Sequence, residues 1–192
     1  RAMKFCKPGI YEDQLQAEIE HEFQMSGANG PAYTSIVGGG ANGCILHYIE
    51  NKDMLKNGDL VLIDAGCEFE DYASDITRTF PINGKFSDEQ AAIYDIVLKA
   101  LKEAIDVTQA GTPNNKTNET TIRVITQGLV ELGLLKGDIN DLIKAEAHRE
   151  FYMHGAGHWL GLDVHDVGDY KIDGEWRIYE PGMVVTIEPG IY

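Results

Sequence analysis

Cysteine is scarce in this chain and basic residues are outnumbered, and each shortage removes a class of function. There are three cysteines in 192 residues, Cys6, Cys44 and Cys67, odd in number and without C-x-x-C spacing. That pattern describes neither a disulfide framework nor a zinc knuckle. Cys44 and Cys67 sit in apolar, strand-like sequence and are expected to be small buried hydrophobes, which fits a reducing, cytoplasmic compartment. Lysine and arginine total 16 against 31 acidic residues, a net charge of −15. So acidic a surface repels phosphate backbones and anionic lipid, and neither nucleic acid nor a membrane is expected as a partner. No run approaches the roughly 18 apolar residues that span a bilayer, and no secretory signal is expected. What is present, a 43% apolar composition, suffices for one globular domain with a real core.

Residues 1–7 read as a tail. Pro8-Gly9 then breaks the chain, and residues 11–28 read as a helix with Leu15, Ile19 and Phe23 on one stripe and Glu18, Glu20 and Glu22 on other faces. A short strand is expected over 32–37, then a Gly38-Gly39-Gly40 loop. No Lys-Ser/Thr follows that triplet, so it is not a phosphate loop; it is expected to let backbone pass close to backbone or substrate. Strand character resumes over 44–49 and carries His47. Four apolar residues, 60–63, predict a strand buried on both faces, ending at Asp64. The chain turns over 66–71 and returns as a strand over 72–80 bearing Asp75.

After Gly84 a second half begins. Ser87-Asp88-Glu89-Gln90 is a capping-box pattern, and the helix behind it carries Ile93, Val97, Leu101 and Ile105. A further helix carries Ile122, Ile125, Leu129 and Leu132, and residues 138–147 form a short helical candidate. A polar hairpin is expected around Asp173-Gly174, and an apolar strand over 183–188 ends in Glu188. The halves, about 10–82 and 87–192, share a plan of helices followed by strands that end in carboxylates, without a residue-level repeat.

Half of the six histidines fall in one stretch, His154 to His165, punctuated by Gly155, Gly157 and Gly161. Glycine disfavours a helix here. Extended, the stretch puts His154 and His158 on one face and His165 on the other, and a bend near Gly161 would return His165. The His-x-x-x-His spacing lacks the glutamate a zinc-protease helix needs. Asp64 and Asp75 are placed on neighbouring strands of one hairpin, where two carboxylates repel unless a cation lies between them. Pairing with Arg78 would account for one of the two acids. Three carboxylates, Asp64, Asp75 and Glu188, with the imidazole of His158 suit hard or borderline divalent ions. Asp75 has two oxygens and could bridge two ions, a common hydrolase device. Three acids are a thin shell for two ions, so a further acid is expected beyond Tyr192.

Several motifs together carry a resemblance. They are Ile36-Val37-Gly38, Asn42-Gly43-Cys44-Ile45-Leu46-His47-Tyr48, Ile63-Asp64-Ala65-Gly66-Cys67-Glu68, Asp75-Ile76-Thr77-Arg78-Thr79-Phe80, residues 154–166, and Glu188-Pro189-Gly190. Across nearly the whole chain the sequence resembles the catalytic domain of the pita-bread metallopeptidases of the aminopeptidase P (Xaa-Pro aminopeptidase) family. The resemblance implies an α/β pita-bread fold, with a curved, mainly antiparallel sheet, helices outside it and two pseudo-symmetric halves. It implies hydrolysis of the bond between an N-terminal residue and a following proline. Asp64 and Asp75 would be metal ligands, with His158 and Glu188 completing the shells of two divalent ions, manganese in the family's usual form. His165 would contact the substrate amide and steady the tetrahedral intermediate, while His47 and His154 would line the substrate pocket. It further implies a homo-oligomer for the full-length protein. The chain is expected to be the catalytic domain without the family's N-terminal domain and last glutamate ligand. Xaa-Pro dipeptidase shares nearly the same His-Gly-x-Gly-His and His-Asp pattern. Methionine aminopeptidase matches 154–166 less well. A non-catalytic pita-bread module would have lost the four metal residues, which all stand here.

Overall fold

A computed structural model describes all 192 residues. It has two compact units, Arg1–Asp88 with Leu160–Asp166, and Glu89–Trp159 with Val167–Tyr192. Mixed helices and antiparallel sheets are present, as the resemblance implies.

The first unit opens with α1 (Ala2–Phe5) and α2 (Glu12–Met25). Residues 1–7 are therefore not a bare tail: Arg1 pairs with Glu18 at 2.8 Å and Glu22 at 3.2 Å. Leu15, Ile19 and Phe23 of α2 pack into a core with Val37, Leu55, Val61, Ile63 and Ile82. Two antiparallel sheets follow. One orders β2 (Ile36–Gly39), β3 (Leu60–Ala65) and β6 (Ile76–Pro81); the other orders β1 (Gly30–Pro31), β4 (Cys67–Phe69) and β5 (Tyr72–Ala73). β2 starts later than expected and absorbs the first two glycines of the triplet. β3 is not buried on both faces. Val61, Ile63 and Ala65 are buried, and Leu60, Leu62 and Asp64 alternate with them half-buried, so Asp64 leaves water only in part. The expected return strand is broken into β5 and β6 at Ser74 and Asp75.

Residues 44–49 are not a strand. A 3-10 turn occupies Gly40–Cys44, His47 adopts a left-handed φ of 56°, and Ile45, Leu46 and Ile49 are 54, 46 and 53% exposed. Their apolar character reports no core. Cys44 is exposed and Cys67 half-buried, so neither is the buried hydrophobe expected; all three thiols are free.

In the second unit α3 (Asp88–Val107) begins directly after Ser87, and α4 (Asn115–Glu131) and α5 (Ile139–Lys144) follow. Asp138 caps α5, accepting from the Asn140 and Asp141 amides at 2.9 and 3.3 Å. The buried seam of α3 runs through Ala100 and Ala104, while Ile105 is exposed. Ile96 sits against Gly128 of α4, where a Cβ would lie 2.6 Å from it; so close an approach selects small residues. Ile125 and Leu129 join the core with Val124, Leu135 and Tyr152, and Leu132 stays exposed. β7 (Lys171–Ile172) and β8 (Glu175–Trp176) form the expected hairpin. Its turn has φ of 53° at Asp173 and 85° at Gly174, as an Asp-Gly type I′ turn requires. Residues 183–188 do not form the expected strand. They run extended along 156–159 through an isolated Trp159–Val185 bridge and the amides of Thr186 and Glu188, which donate to His158 O at 2.9 Å and Ala156 O at 2.8 Å. No helix is long and apolar enough to cross a membrane.

Candidate metal centre

Of the seven candidate residues, the first unit holds Asp64, Asp75, His47 and His165, and the second holds His154, His158 and Glu188. Asp64 lies on β3 opposite Thr77 of β6, and Asp75 lies one residue before β6. Both carboxylates turn to one phenol: the hydroxyl of Tyr33 is shared between Asp64 Oδ1 and Asp75 Oδ1, the latter at 3.1 Å. Burial, then the hydrogen bond and charge of Asp64, push the Tyr33 pKa far above the ordinary range, so the phenol keeps its proton and donates it between the two acids. One donor between two anions relieves part of their repulsion; a cation would relieve the rest. Arg78 spends an N–H on the Thr77 carbonyl at 2.7 Å.

The spacing of this pair rests on backbone packing. An ideal Cβ on Gly66 would sit 1.6 Å from the Ser74 carbonyl oxygen, so only glycine lets the strand carrying Asp64 pass the residue before Asp75. The Ser74 hydroxyl locks the crossing, donating to Cys67 O at 2.9 Å and accepting from Cys67 N at 2.8 Å. Ala73 N donates to Gly161 O at 2.9 Å, which ties the end of the histidine stretch to β5. The rings of His47 and His165 stand 6.4 Å apart at 42°.

In the second unit His158 Nδ1 lies 2.8 Å from the Trp159 carbonyl and Nε2 lies 3.2 Å from Glu188 Oε1. A carbonyl only accepts, so the hydrogen is on Nδ1. In the neutral ring the Nε2 lone pair then faces a carboxylate, acceptor against acceptor. Either a proton or a metal cation resolves that opposition, and an outward-facing Nε2 with a carbonyl-held Nδ1–H is how metal-binding histidines are oriented. Thr186 completes the group: its hydroxyl donates to Glu188 Oε1 at 2.7 Å and accepts from His158 N at 2.9 Å. Gly157 repeats the device seen at Gly66, with a Cβ falling 1.9 Å from Thr186 O.

His154 is fixed in the same tautomer. Its Nδ1 donates to Gly155 O at 2.8 Å, so Nε2 accepts from the Tyr192 hydroxyl at 2.8 Å. Tyr152 meets the His154 ring edge-on at 4.9 Å, and burial, then the charge of Glu188, raise its pKa well above normal. Tyr33, Thr186, Tyr152 and Tyr192 escaped the sequence reading. Only Thr186 left a signal, standing two residues from Glu188 and hence on its side of an extended segment.

The model of metallopeptidase family M24 matches residues 1–192. The chain is 56% identical over 192 residues to Xaa-Pro aminopeptidase of Escherichia coli and 58% identical to that of Haemophilus influenzae, covering all of this chain and 43 and 44% of those proteins. Among solved structures, aminopeptidase PepP of Pseudomonas aeruginosa is 61% identical with a TM-score of 0.99, covering all of this chain and 43% of that one. A zinc-substituted E. coli aminopeptidase P in complex with product is 56% identical with a TM-score of 0.96, again over all of this chain and 43% of that one. The chain thus spans less than half the length of the curated relatives it matches.

Proposed function

Because this chain belongs to metallopeptidase family M24, with the pita-bread fold of the aminopeptidase P structures, we propose that it carries the catalytic part of an Xaa-Pro aminopeptidase. That enzyme hydrolyses the bond between an N-terminal residue and a penultimate proline, and peptides with proline second are its substrates. Asp64, Asp75, His158 and Glu188 hold two divalent ions, manganese by the resemblance. His47, His154 and His165 contact the substrate, and the full-length protein is a cytoplasmic homo-oligomer, a compartment that three free thiols suit.

The observation that carries this reading is the opposition of His158 Nε2 and Glu188 Oε1 at 3.2 Å with Nδ1 already committed. In the other unit the paired acids Asp64 and Asp75 with their shared phenol support the same chemistry. Carboxylates plus one imidazole are a donor set for manganese, cobalt, zinc or iron rather than for a soft metal. Divalent ions bound there supply Lewis acidity, lowering the pKa of water and polarising a carbonyl.

The chain's own residues do the remaining work. Tyr33 holds Asp64 and Asp75 in orientation without competing as an anion. Thr186 turns Glu188 towards His158. His154, with Nδ1–H committed to Gly155 O, presents Nε2 only as an acceptor. His47 and His165 are one ring pair facing the substrate, His165 as donor to the oxygen of the scissile amide. A proline amide has no N–H, so recognition of that residue rests on ring shape rather than on a hydrogen bond to its nitrogen.

The test is calorimetric titration of manganese into the chelator-treated full-length protein, beside hydrolysis of a short peptide with proline second and the same peptide with alanine second. Binding of two ions and cleavage of the first peptide alone is expected. Absence of metal binding, or equal cleavage of both peptides, refutes the assignment.

A further inference from the structure

Glu12 is the most buried carboxylate of the first unit, with no exposed surface, and no role in the proposed chemistry uses it. It stands in the first turn of α2, where the helix dipole favours an acid, but four donors explain its burial. Oε1 accepts from Gly39 N at 2.8 Å and Asn42 Nδ2 at 3.1 Å; Oε2 accepts from the Tyr48 hydroxyl at 2.8 Å and Asp53 N at 3.0 Å. The donors lie 27 to 41 residues away in sequence, and all of them border or belong to residues 40–53. That segment holds His47. Its aliphatic residues Ile45, Leu46 and Ile49 face solvent and only the Tyr48 ring is buried, so apolar packing seats it at one point alone.

Polar pins seat the rest of it. The second is Asn51, also buried, which accepts from Val37 N at 3.0 Å and donates to Gln16 Oε1 at 2.8 Å and Ser35 O at 2.7 Å. Glu12 and Gln16 stand one helical turn apart on α2, so that helix grips the loop at two points. Within the segment the backbone takes left-handed conformations at His47 and at the pin Asn51 itself, φ 56° and 48°, which non-glycine residues hold at a cost their surroundings must meet.

We propose that Glu12 is a positioning residue of the aminopeptidase: by gathering Gly39, Asn42, Tyr48 and Asp53 it fixes the 40–53 loop and hence the place of His47 in the substrate site. This rests on the peptidase reading of His47. Glu12 touches no reacting atom, and its effect passes through His47 alone.

The experiment is a double-variant cycle in the manganese-loaded intact protein with a short Xaa-Pro peptide. Glu12→Gln keeps the shape but sets an amide N–H₂ among donors. It is expected to lower kcat/KM on the order of tenfold, because an ångström-scale displacement of a binding group costs that much or more, with manganese content unchanged. Combined with His47→Ala it is expected to add nothing beyond the His47→Ala loss. Tyr48→Phe removes one of the four donors and keeps the carboxylate, so it serves if Glu12→Gln fails to fold; its smaller loss is expected to vanish equally in the His47→Ala background. Full activity of both variants, or losses that multiply with His47→Ala as for a merely structural residue, overturns the inference while the peptidase reading stands. A wild-type protein that leaves the peptide uncut removes both.

Discussion

Replacing Gly66 by alanine tests whether backbone packing sets the metal site. The added Cβ would sit 1.6 Å from Ser74 O, and real Cβ atoms essentially never come within 3.0 Å of a neighbour. The Ser74–Asp75 backbone must therefore retreat by at least about 1.4 Å. Overpacking of this kind costs about 1–3 kcal/mol. Loss of the Ser74–Cys67 hydrogen bonds, two through the hydroxyl and one through the Ser74 amide, adds about 1 kcal/mol for each one broken. A total of about 2–6 kcal/mol is expected in urea unfolding of metal-free protein. The displacement reaches Asp75 directly, and metal–ligand distances tolerate only about 0.2 Å. Manganese affinity measured by calorimetry should fall by about ten- to a hundredfold, the range for disturbed supporting groups. Gly155→Ala is the control, because a Cβ there meets nothing within 4 Å and should change neither quantity. A Gly66→Ala protein with wild-type stability and manganese affinity would refute the packing argument.

Gly157→Ala should act likewise on the other proposed ligand pair: a Cβ 1.9 Å from Thr186 O drives apart the segments bearing His158 and Glu188, and calorimetry should again show manganese affinity at least about tenfold weaker. Burial lowers the His148 pKa, so the unfolded chain takes up that proton first as pH falls. Its contribution is whole above about pH 6.5 and is lost as pH drops through that value towards the folded pKa; urea midpoints of His148→Gln should vary less than wild type as pH falls below about 6.5. Burial, then the Glu12 hydrogen bond, push Tyr48 up to about 12. The folded chain holds that proton longer, so stability is lost as pH rises from about 10 to about 12, and Tyr48→Phe should flatten thermal unfolding midpoints over that window.

Much of the candidate centre is legible because its residues sit in short motifs of strong local chemistry. An acid at the end of an apolar run and a histidine framed by glycines announce Asp64, Glu188 and His158 without any tertiary knowledge. Their helpers are not legible that way. Tyr33 reaches across 31 and 42 residues to Asp64 and Asp75, and nothing near it in sequence marks a shared donor. Glu12 looks like any acid on a solvated helix face until Gly39, Asn42, Tyr48 and Asp53 converge on it. Periodicity also misled where burial did not follow hydrophobicity. The Ile45-Leu46 run is exposed because polar pins seat its loop. Of the α3 stripe, Ile93, Val97 and Leu101 are half-buried and only Ile105 is exposed, while the fully buried positions fall to Ala100 and Ala104.

Both units place a pair of the proposed ligands beside a crossing of two backbones at glycine. Gly66 stands two residues after Asp64 and faces Ser74, the neighbour of Asp75; Gly157 stands one residue before His158 and faces Thr186, two residues before Glu188. At each crossing a hydroxyl of the facing residue closes the gap, Ser74 to Cys67 and Thr186 to both His158 N and Glu188. The separation within each pair is thus set by main-chain contact and by one short side chain with little rotamer freedom. Long carboxylate side chains alone would leave that distance to rotamer equilibria, worth fractions of a kcal/mol per well. A centre whose ligands must hold position within a few tenths of an ångström needs the stiffer support. The glycines here, commonly read as permissive, are the residues that make the site rigid.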